Sequence, residues 1–133
     1  MSCLLTEILS APHRAAELDY DQFSQLIREG RSAALLGTVC LLLEQEGILA
    51  EIPPAVRRHF TSAAVVNTKQ ALDLAYEVKW LKKALAAADE RLVLLKGAAY
   101  LQADLPASRG RFLSDIDILA PAHHIADVEQ SLH

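Results

Sequence analysis

The amino-acid sequence predicts a mostly helical α+β protein, in which an N-terminal helical bundle precedes the order strand, helix, strand, helix. Hydrophobic residues make up 52% of the 133 residues, while glycine and proline number only 5 each, which favours helices over short strands. Apolar residues recur at helical spacing through most of residues 1–88, and two short apolar runs follow. We therefore predict a helical region over residues 1–88 and a mixed region over residues 89–133.

The N-terminal bundle begins with helical spacing from Leu4 to about Gln45, which predicts about two or three packed helices. The longest apolar run, Ala33 to Leu43, is shorter than the roughly 18 residues that span a bilayer. We therefore expect it to be a buried helix, and we expect no membrane partner. Pro53 and Pro54 then predict the start of the next helix, where a missing backbone N–H is tolerated.

The clearest single element is a long helix predicted over about Ala55 to Ala88. Its charged residues fall off the apolar stripe and indicate a solvated face rather than a binding patch. Asn67 is polar within the stripe, and we interpret it as a hydrogen-bonding device of the structure. The stripe comprises Ala64, Asn67, Ala71, Leu74, Val78, Leu81 and Leu85.

Charge and cysteine content exclude several classes of protein. The formal net charge of -4 argues against broad nucleic-acid binding, which needs many Lys and Arg contacts to phosphates. Cys3 and Cys40 are too few for a disulfide framework or a zinc site. We therefore expect a protein of the reducing cytoplasm, and the first residues do not resemble a signal peptide.

The character of the sequence changes after the long helix. The apolar run from Arg91 to Gly97 predicts a buried strand that ends in a turn, and Ala98 to Asp104 predicts one or two helical turns. Residues 105–110 have the composition of a loop. We predict a second strand over Arg111 to Leu119 and a further helix from Pro121.

Two aspartates in the second predicted strand are the first candidates for chemistry. Because strand side chains alternate between faces, Asp115 and Asp117 should share one face, with Ile116 and Ile118 on the other. Paired carboxylates suit hard cations such as Mg²⁺, and they can bridge two metal ions in phosphoryl transfer. An Asp-x-Asp pair can also be simply the solvated face of a strand.

The turn after the first predicted strand is the second candidate. Gly97 permits close approach of the backbone, the next helix begins there with unpaired N–H groups, and Lys96 adds a positive charge. These features suit an anion such as a phosphate. In the alternative, the glycine only turns the chain and the lysine extends into water.

Other candidates have less support. His123 and His124 are adjacent, and neighbouring helical side chains point about 100° apart, so they cannot easily share one metal ion. We interpret them as surface residues at a helix start. Ser114 lies in no Gly-x-Ser-x-Gly pattern, so a serine hydrolase is not supported. Asp104 and Asp127 are the first residues to test if a further acid is needed.

Together, the turn and the aspartate pair resemble the nucleotidyltransferase superfamily typified by DNA polymerase beta. More narrowly, the sequence from Val93 to Ala99, then Arg111, then Asp115 to Leu119, is similar to the family known as uncharacterised nucleotidyltransferases. The resemblance covers about residues 92–132. It implies that Asp115 and Asp117 are the catalytic and metal-binding residues. It places the phosphate-binding residues at Lys96, Gly97, Ala98, Arg111 and Ser114.

The resemblance implies transfer of a nucleoside monophosphate from a nucleoside triphosphate to the hydroxyl of an unknown acceptor, with Mg²⁺ or Mn²⁺. The family's third carboxylate lies on a later strand, so we expect residues 89–133 to form a partial core that is inactive alone. Self-association could use the open sheet edge or the long helix. The alternatives are a non-catalytic interaction module and a nucleotide-binding regulatory relative without turnover.

Overall fold

A computed structural model of the protein describes residues 3–86 and 93–133 and confirms a mostly helical α+β fold. Short 3-10 turns connect several of its elements. The helices and strands are α1 (Leu4–Ser10), α2 (Tyr20–Ser32), α3 (Leu36–Gln45), α4 (Pro54–Ala86), β1 (Val93–Leu95), α5 (Lys96–Gln102), β2 (Asp117–Leu119) and α6 (Ile125–Ser131).

The chain forms two compact units. The first comprises Met1–Lys69 with Arg109–Phe112, and the second comprises Gln70–Ser108 with Leu113–His133. The sequence-based boundary near residue 88 stays a prediction, because residues 87–92 lie outside the described residues. The predicted last turn of the long helix and the predicted first two strand residues, Arg91 and Leu92, lie in the same gap.

The first unit is a helical bundle around one apolar core. Asp19 begins α2 with a reciprocal cap: its carboxylate accepts a hydrogen bond from the Gln22 backbone N–H at 2.8 Å, and the Gln22 amide oxygen accepts from the Asp19 N–H at 3.0 Å. The segment predicted to be a buried helix, Ala33 to Leu43, is helical from Leu36 onward, in α3. The core residues with the largest fully buried side chains in this unit are Ile8, Leu26, Val39, Leu43 and Phe60.

A carboxylate from α2 caps the start of α1. No side chain at the N-cap position of α1 satisfies its first N–H groups. Glu29 supplies the missing acceptor, because its Oε2 accepts from the Leu5 N–H at 2.7 Å while its Oε1 accepts from the Gln25 amide at 2.8 Å. These hydrogen bonds, the one from Gln25 first, hold the pKa of Glu29 below its ordinary value.

A close backbone contact holds residues 109–112 on the first unit. The carbonyl oxygen of Gly110 accepts hydrogen bonds from the Asn67 amide and, at 3.2 Å, from the Thr38 hydroxyl. A Cβ atom on Gly37 would lie 2.7 Å from that oxygen and still closer to the Asn67 amide. Gly110 itself has φ +68, and its own Cβ would lie 2.7 Å from the Thr38 nitrogen. This glycine contact therefore needs both glycines, and Asn67 has the structural role that its place in the stripe predicted.

The second unit contains the C-terminal part of α4, the two strands, α5 and α6. Its small core consists of Leu74, Ala98 and Leu113, with partly buried neighbours around them. The predicted stripe of α4 is confirmed: Leu74, Val78 and Leu85 are buried, and its other members are partly buried. Among the described residues the sheet has two antiparallel strands, with Leu95 opposite Asp117 and Val93 opposite Leu119.

The second strand is shorter than predicted. The prediction of a strand over Arg111 to Leu119 is wrong for residues 111–116, which have no regular secondary structure. The register explains the difference. Ile116 would have to pair with Lys96, but Lys96 already belongs to α5 and not to strand β1. The backbone N–H of Leu113 is engaged elsewhere and donates to the Gln70 side chain at 3.4 Å.

The helix predicted from Pro121 begins as a 3-10 turn over Ala122–His124 and continues as α6. None of the helices in the described part of the chain has the length and apolar character needed to cross a membrane.

We expect Gly37→Ala to lower the free energy of unfolding by about 1–3 kcal/mol, because the new methyl group overlaps the Asn67 amide and the Gly110 carbonyl. Urea denaturation measures the change. In an Asn67→Ala background the same substitution should cost less, since one of the two overlapping groups is gone. Strictly additive effects in this double-mutant cycle would contradict the described contact.

We expect Glu29 to contribute stability that is lost in acid. Because its folded-state pKa lies below its ordinary value of 4.5, the contribution is fully present above that pH and disappears as the pH falls through the folded-state pKa. Glu29→Gln should therefore flatten the fall in stability between about pH 5 and pH 3. Denaturation curves at a series of pH values test this, and equal pH dependence in both proteins would refute it.

Candidate functional site

The candidate site lies at the junction of β1 and α5. Helix α5 begins at Lys96, directly after the last strand residue, Leu95. The sharp change of direction puts Lys96 at φ 52, in the left-handed region that non-glycine residues rarely occupy. This conformation costs roughly 1–2 kcal/mol for a residue with a Cβ atom. The turn is thus built on a lysine, although a glycine stands next to it.

An ion pair connects this junction to the second strand. The Lys96 ammonium lies 3.1 Å from Oδ2 of Asp117, and the two side chains keep 72% and 42% of their accessible surface. The register produces this contact, because Asp117 is paired with Leu95, the residue before Lys96. Such exposed pairs contribute about 0–1 kcal/mol to stability. The pair therefore does little for the fold, and both groups stay accessible to a ligand.

Gly97 has a packing role that the sequence did not predict. A Cβ atom at this position would lie 2.8 Å from Cδ2 of Leu113, a residue of the small core. The left-handed conformation at this turn belongs to Lys96 and not to Gly97. Ala98 is buried in the same core at 1% exposure, so its side chain faces the protein. Gly97 and Ala98 therefore pack the turn against the small core.

The remaining predicted site residues lie before β2. Ser114 and Asp115 are exposed and precede the strand, so the expected pair of carboxylates on one strand face is reduced to Asp117 within the strand. Ile116 packs against the small core, as the alternating pattern predicted. Arg111 is exposed and belongs to the first unit.

The histidine pair is placed as the sequence indicated. His123 and His124 lie in the turn before α6, with their ring centres 4.1 Å apart, and His124 Nδ1 is 3.9 Å from an oxygen of Asp127. Within residues 3–86 and 93–133, no three His, Cys, Asp or Glu side chains form a group that could hold a metal ion.

The two candidate carboxylates fit a hard divalent cation in their chemistry. Asp115 and Asp117 offer oxygen donors on accessible side chains two residues apart. Asp117 is already paired with a cationic group, the Lys96 ammonium. A metal ion at Asp117 would compete with that ammonium, which would then be free to turn towards a phosphate.

Sequence reasoning missed three contacts within the two units. They are the glycine contact of Gly37 with Gly110, the packing of Leu113 against Gly97, and the hydrogen bond from Leu113 to Gln70. Asn67 was the single signal for the first, since a polar residue in an apolar stripe needs a partner. The other two depend on long-range packing and have no local signal.

The comparisons with known proteins identify the family. A family model described as uncharacterised nucleotidyltransferase matches residues 19–133, and the chain belongs to this family. The match confirms the resemblance and extends it from residues 92–132 into the helical bundle. No curated protein and no solved structure matches the chain. The family description indicates nucleotidyl transfer and a nucleotide substrate, and nucleotidyltransferases generally use a divalent metal.

Two substitutions of Lys96 separate backbone strain from charge. Lys96→Ala and Lys96→Gly both remove the ion pair with Asp117, but only glycine relieves the positive φ. We expect the glycine variant to be more stable than the alanine variant by about 1 kcal/mol, measured by urea denaturation. An alanine variant as stable as the glycine variant would show that Lys96 is not in the left-handed region in solution.

Proposed function

We propose that the chain carries the metal-binding and phosphate-binding part of a nucleotidyltransferase that moves a nucleoside monophosphate from a nucleoside triphosphate to an acceptor hydroxyl. The observation that carries the proposal is the ion pair between Lys96 and Asp117, formed where a strand turns into a helix. It joins the two segments that the family resemblance assigns to phosphate and metal. The contact is made of accessible side chains that stability does not require.

In this proposal Asp115 and Asp117 hold Mg²⁺ or Mn²⁺. When bound, the metal supplies neutralisation of phosphate charge and a lower pKa for the attacking hydroxyl. The protein's own part is to keep the two carboxylates at the start of β2. It does so by anchoring Ile116 in the small core between them and by pairing the strand with β1.

Lys96 has the second role in the proposal, which is to contact a phosphate. Its ammonium is 72% exposed, so it can move from Asp117 to a phosphate oxygen with little loss of packing. Gly97 and Ala98 then contribute backbone at the start of α5, and Ser114 contributes an exposed polar side chain to the proposed phosphate contacts. The role of Arg111 rests on the family resemblance alone.

An interaction module is the second candidate, and one observation favours it. Leu72, Tyr76 and Trp80 follow one another at four-residue steps on α4 and keep 67%, 62% and 51% of their surface exposed. An apolar stripe of this kind suits a helical partner or a second copy of the chain. We therefore include self-association through α4 or through the sheet edge in the proposal. A cytoplasmic location and the absence of broad nucleic-acid binding are further proposals.

Titration with Mn²⁺ tests the metal proposal directly. Paramagnetic broadening in an amide spectrum should erase the signals around Asp115 and Asp117 first, and Asp117→Asn should weaken binding at least about tenfold through loss of one charged ligand. Asp21→Asn, an exposed carboxylate in the first turn of α2, is the matched control and should bind as the wild type does. Uniform weak broadening, or equal binding by both variants, would favour the interaction module.

A parallel titration with nucleoside triphosphates in the presence of Mg²⁺ tests the role of Lys96. Lys96→Arg should retain more affinity than Lys96→Ala, because the contribution is one of charge. Equal affinity in the wild type and both variants would remove Lys96 from the site.

A further inference from the structure

The first unit contains an open groove that is lined by neither the aspartate pair nor the Lys96 turn. It has a volume of about 610 Å³ and is formed where the end of α2, the start of α3 and the N-terminal half of α4 surround Phe112. Gly37 and Asn67, both members of the glycine contact, also line it. The groove is therefore built on one of the most closely packed backbone contacts of the unit.

The charge of the groove is opposite to the charge of the chain. The chain carries a formal net charge of -4, yet Arg31, Arg58 and His59 line the groove and no Asp or Glu does. In the part of the chain that the structure describes, neither arginine is in an ion pair. Guanidinium groups bind carboxylate, sulfonate and phosphate oxygens through paired, charge-assisted hydrogen bonds. Two such groups beside one cavity are complementary to an anion.

The rest of the lining is apolar. Leu36, Ala63 and Val66 contribute aliphatic surface, and Phe112 keeps half of its surface exposed at 50%. An exposed aromatic ring beside a cavity offers a face on which a planar or aliphatic body can pack. A bare inorganic anion would leave this surface in contact with water, so the lining favours an anion that carries an apolar body.

We propose that this groove binds a small organic anion, in which a carboxylate, sulfonate or phosphate is attached to an aromatic or aliphatic body. The acidic group is held between Arg31 and Arg58, and the body packs on Val66 and Phe112. Ser62 and Asn67 offer hydrogen-bonding groups between these two ends. The proposal depends only on the first unit, so it stands independently of the metal and phosphate roles proposed above.

Two fluorescent probes that differ only in the anionic group test the proposal. 8-Anilinonaphthalene-1-sulfonate carries a sulfonate, and N-phenyl-1-naphthylamine is the same aromatic body without it. The full chain should bind the sulfonate at one saturable site and bind the neutral probe at least about tenfold more weakly, because the two guanidinium groups act only on the anion. Inorganic phosphate should compete only at much higher concentration. Equal affinity for both probes would overturn the proposal.

Matched variants locate the site. Val66→Glu places a negative charge in the groove, while Val65→Glu places it on the neighbouring position of α4, which is 68% exposed and does not line the groove. Val66→Glu should weaken sulfonate binding at least about tenfold, and Val65→Glu should change it by less than about twofold. Arg31→Gln should weaken it as well, with Arg28→Gln on the same helix as the control. Equal loss in a variant and its control would refute the location.

Competition by other compounds identifies the source of the anion. Displacement of the probe by a nucleoside triphosphate in the wild type, in Val65→Glu and in Asp117→Asn would show that the groove accepts a nucleotide. Displacement by aromatic or aliphatic carboxylates alone would show a different ligand of the same chemistry. Failure of any anion or probe to distinguish Val66→Glu from Val65→Glu would overturn the proposal, while Mn²⁺ broadening at Asp115 and Asp117 would be unaffected by that result.

Discussion

The close approach of Gly37 and Gly110 is the constraint on which the most distinctive features of the first unit depend. The carbonyl oxygen of Gly110 accepts from the Asn67 amide and from the Thr38 hydroxyl, and it leaves no room for a Cβ atom on Gly37. The contact joins positions more than 70 residues apart, at a loop-closure cost that grows only slowly with length. It brings Phe112 to the wall of the groove. A side chain at either glycine would separate the loop from the helices and open that wall.

The junction at Lys96 presents a different kind of constraint. A left-handed residue with a side chain costs roughly 1–2 kcal/mol, and an exposed ion pair returns about 0–1 kcal/mol. Stability alone would favour glycine at this position, where φ is 52°. The fold thus gains little from a lysine at this position, whose ammonium lies 3.1 Å from Asp117. Strain that the fold does not need is typical of residues that serve a site.

The sequence predicted the parts of this protein that depend on local periodicity. The spacing of apolar residues predicted the stripe on α4 and the order of strands and helices after it, and the two prolines predicted the start of that helix, which begins at Pro54. The length of β2 was not predictable, because it is limited by its partner strand, which becomes helical at Lys96. The groove could not be predicted either, since Arg31, Arg58 and Phe112 come from segments that only the folded chain brings together.

The contrast between global and local charge bears on what the chain can recognise. A net charge of -4 works against the many phosphate contacts of broad nucleic-acid binding, and this holds for the molecule as a whole. It does not hold for a cavity, where two guanidinium groups and an apolar wall act on one ligand at contact distance, with less screening than at an open surface. The two candidate sites therefore select by different means. In our proposals, Asp115 and Asp117 attract a hard cation and, through it, a triphosphate, while the groove selects an anion by its apolar body. Mn²⁺ broadening at the aspartate pair and probe displacement at the groove therefore test two separate proposals for the same chain.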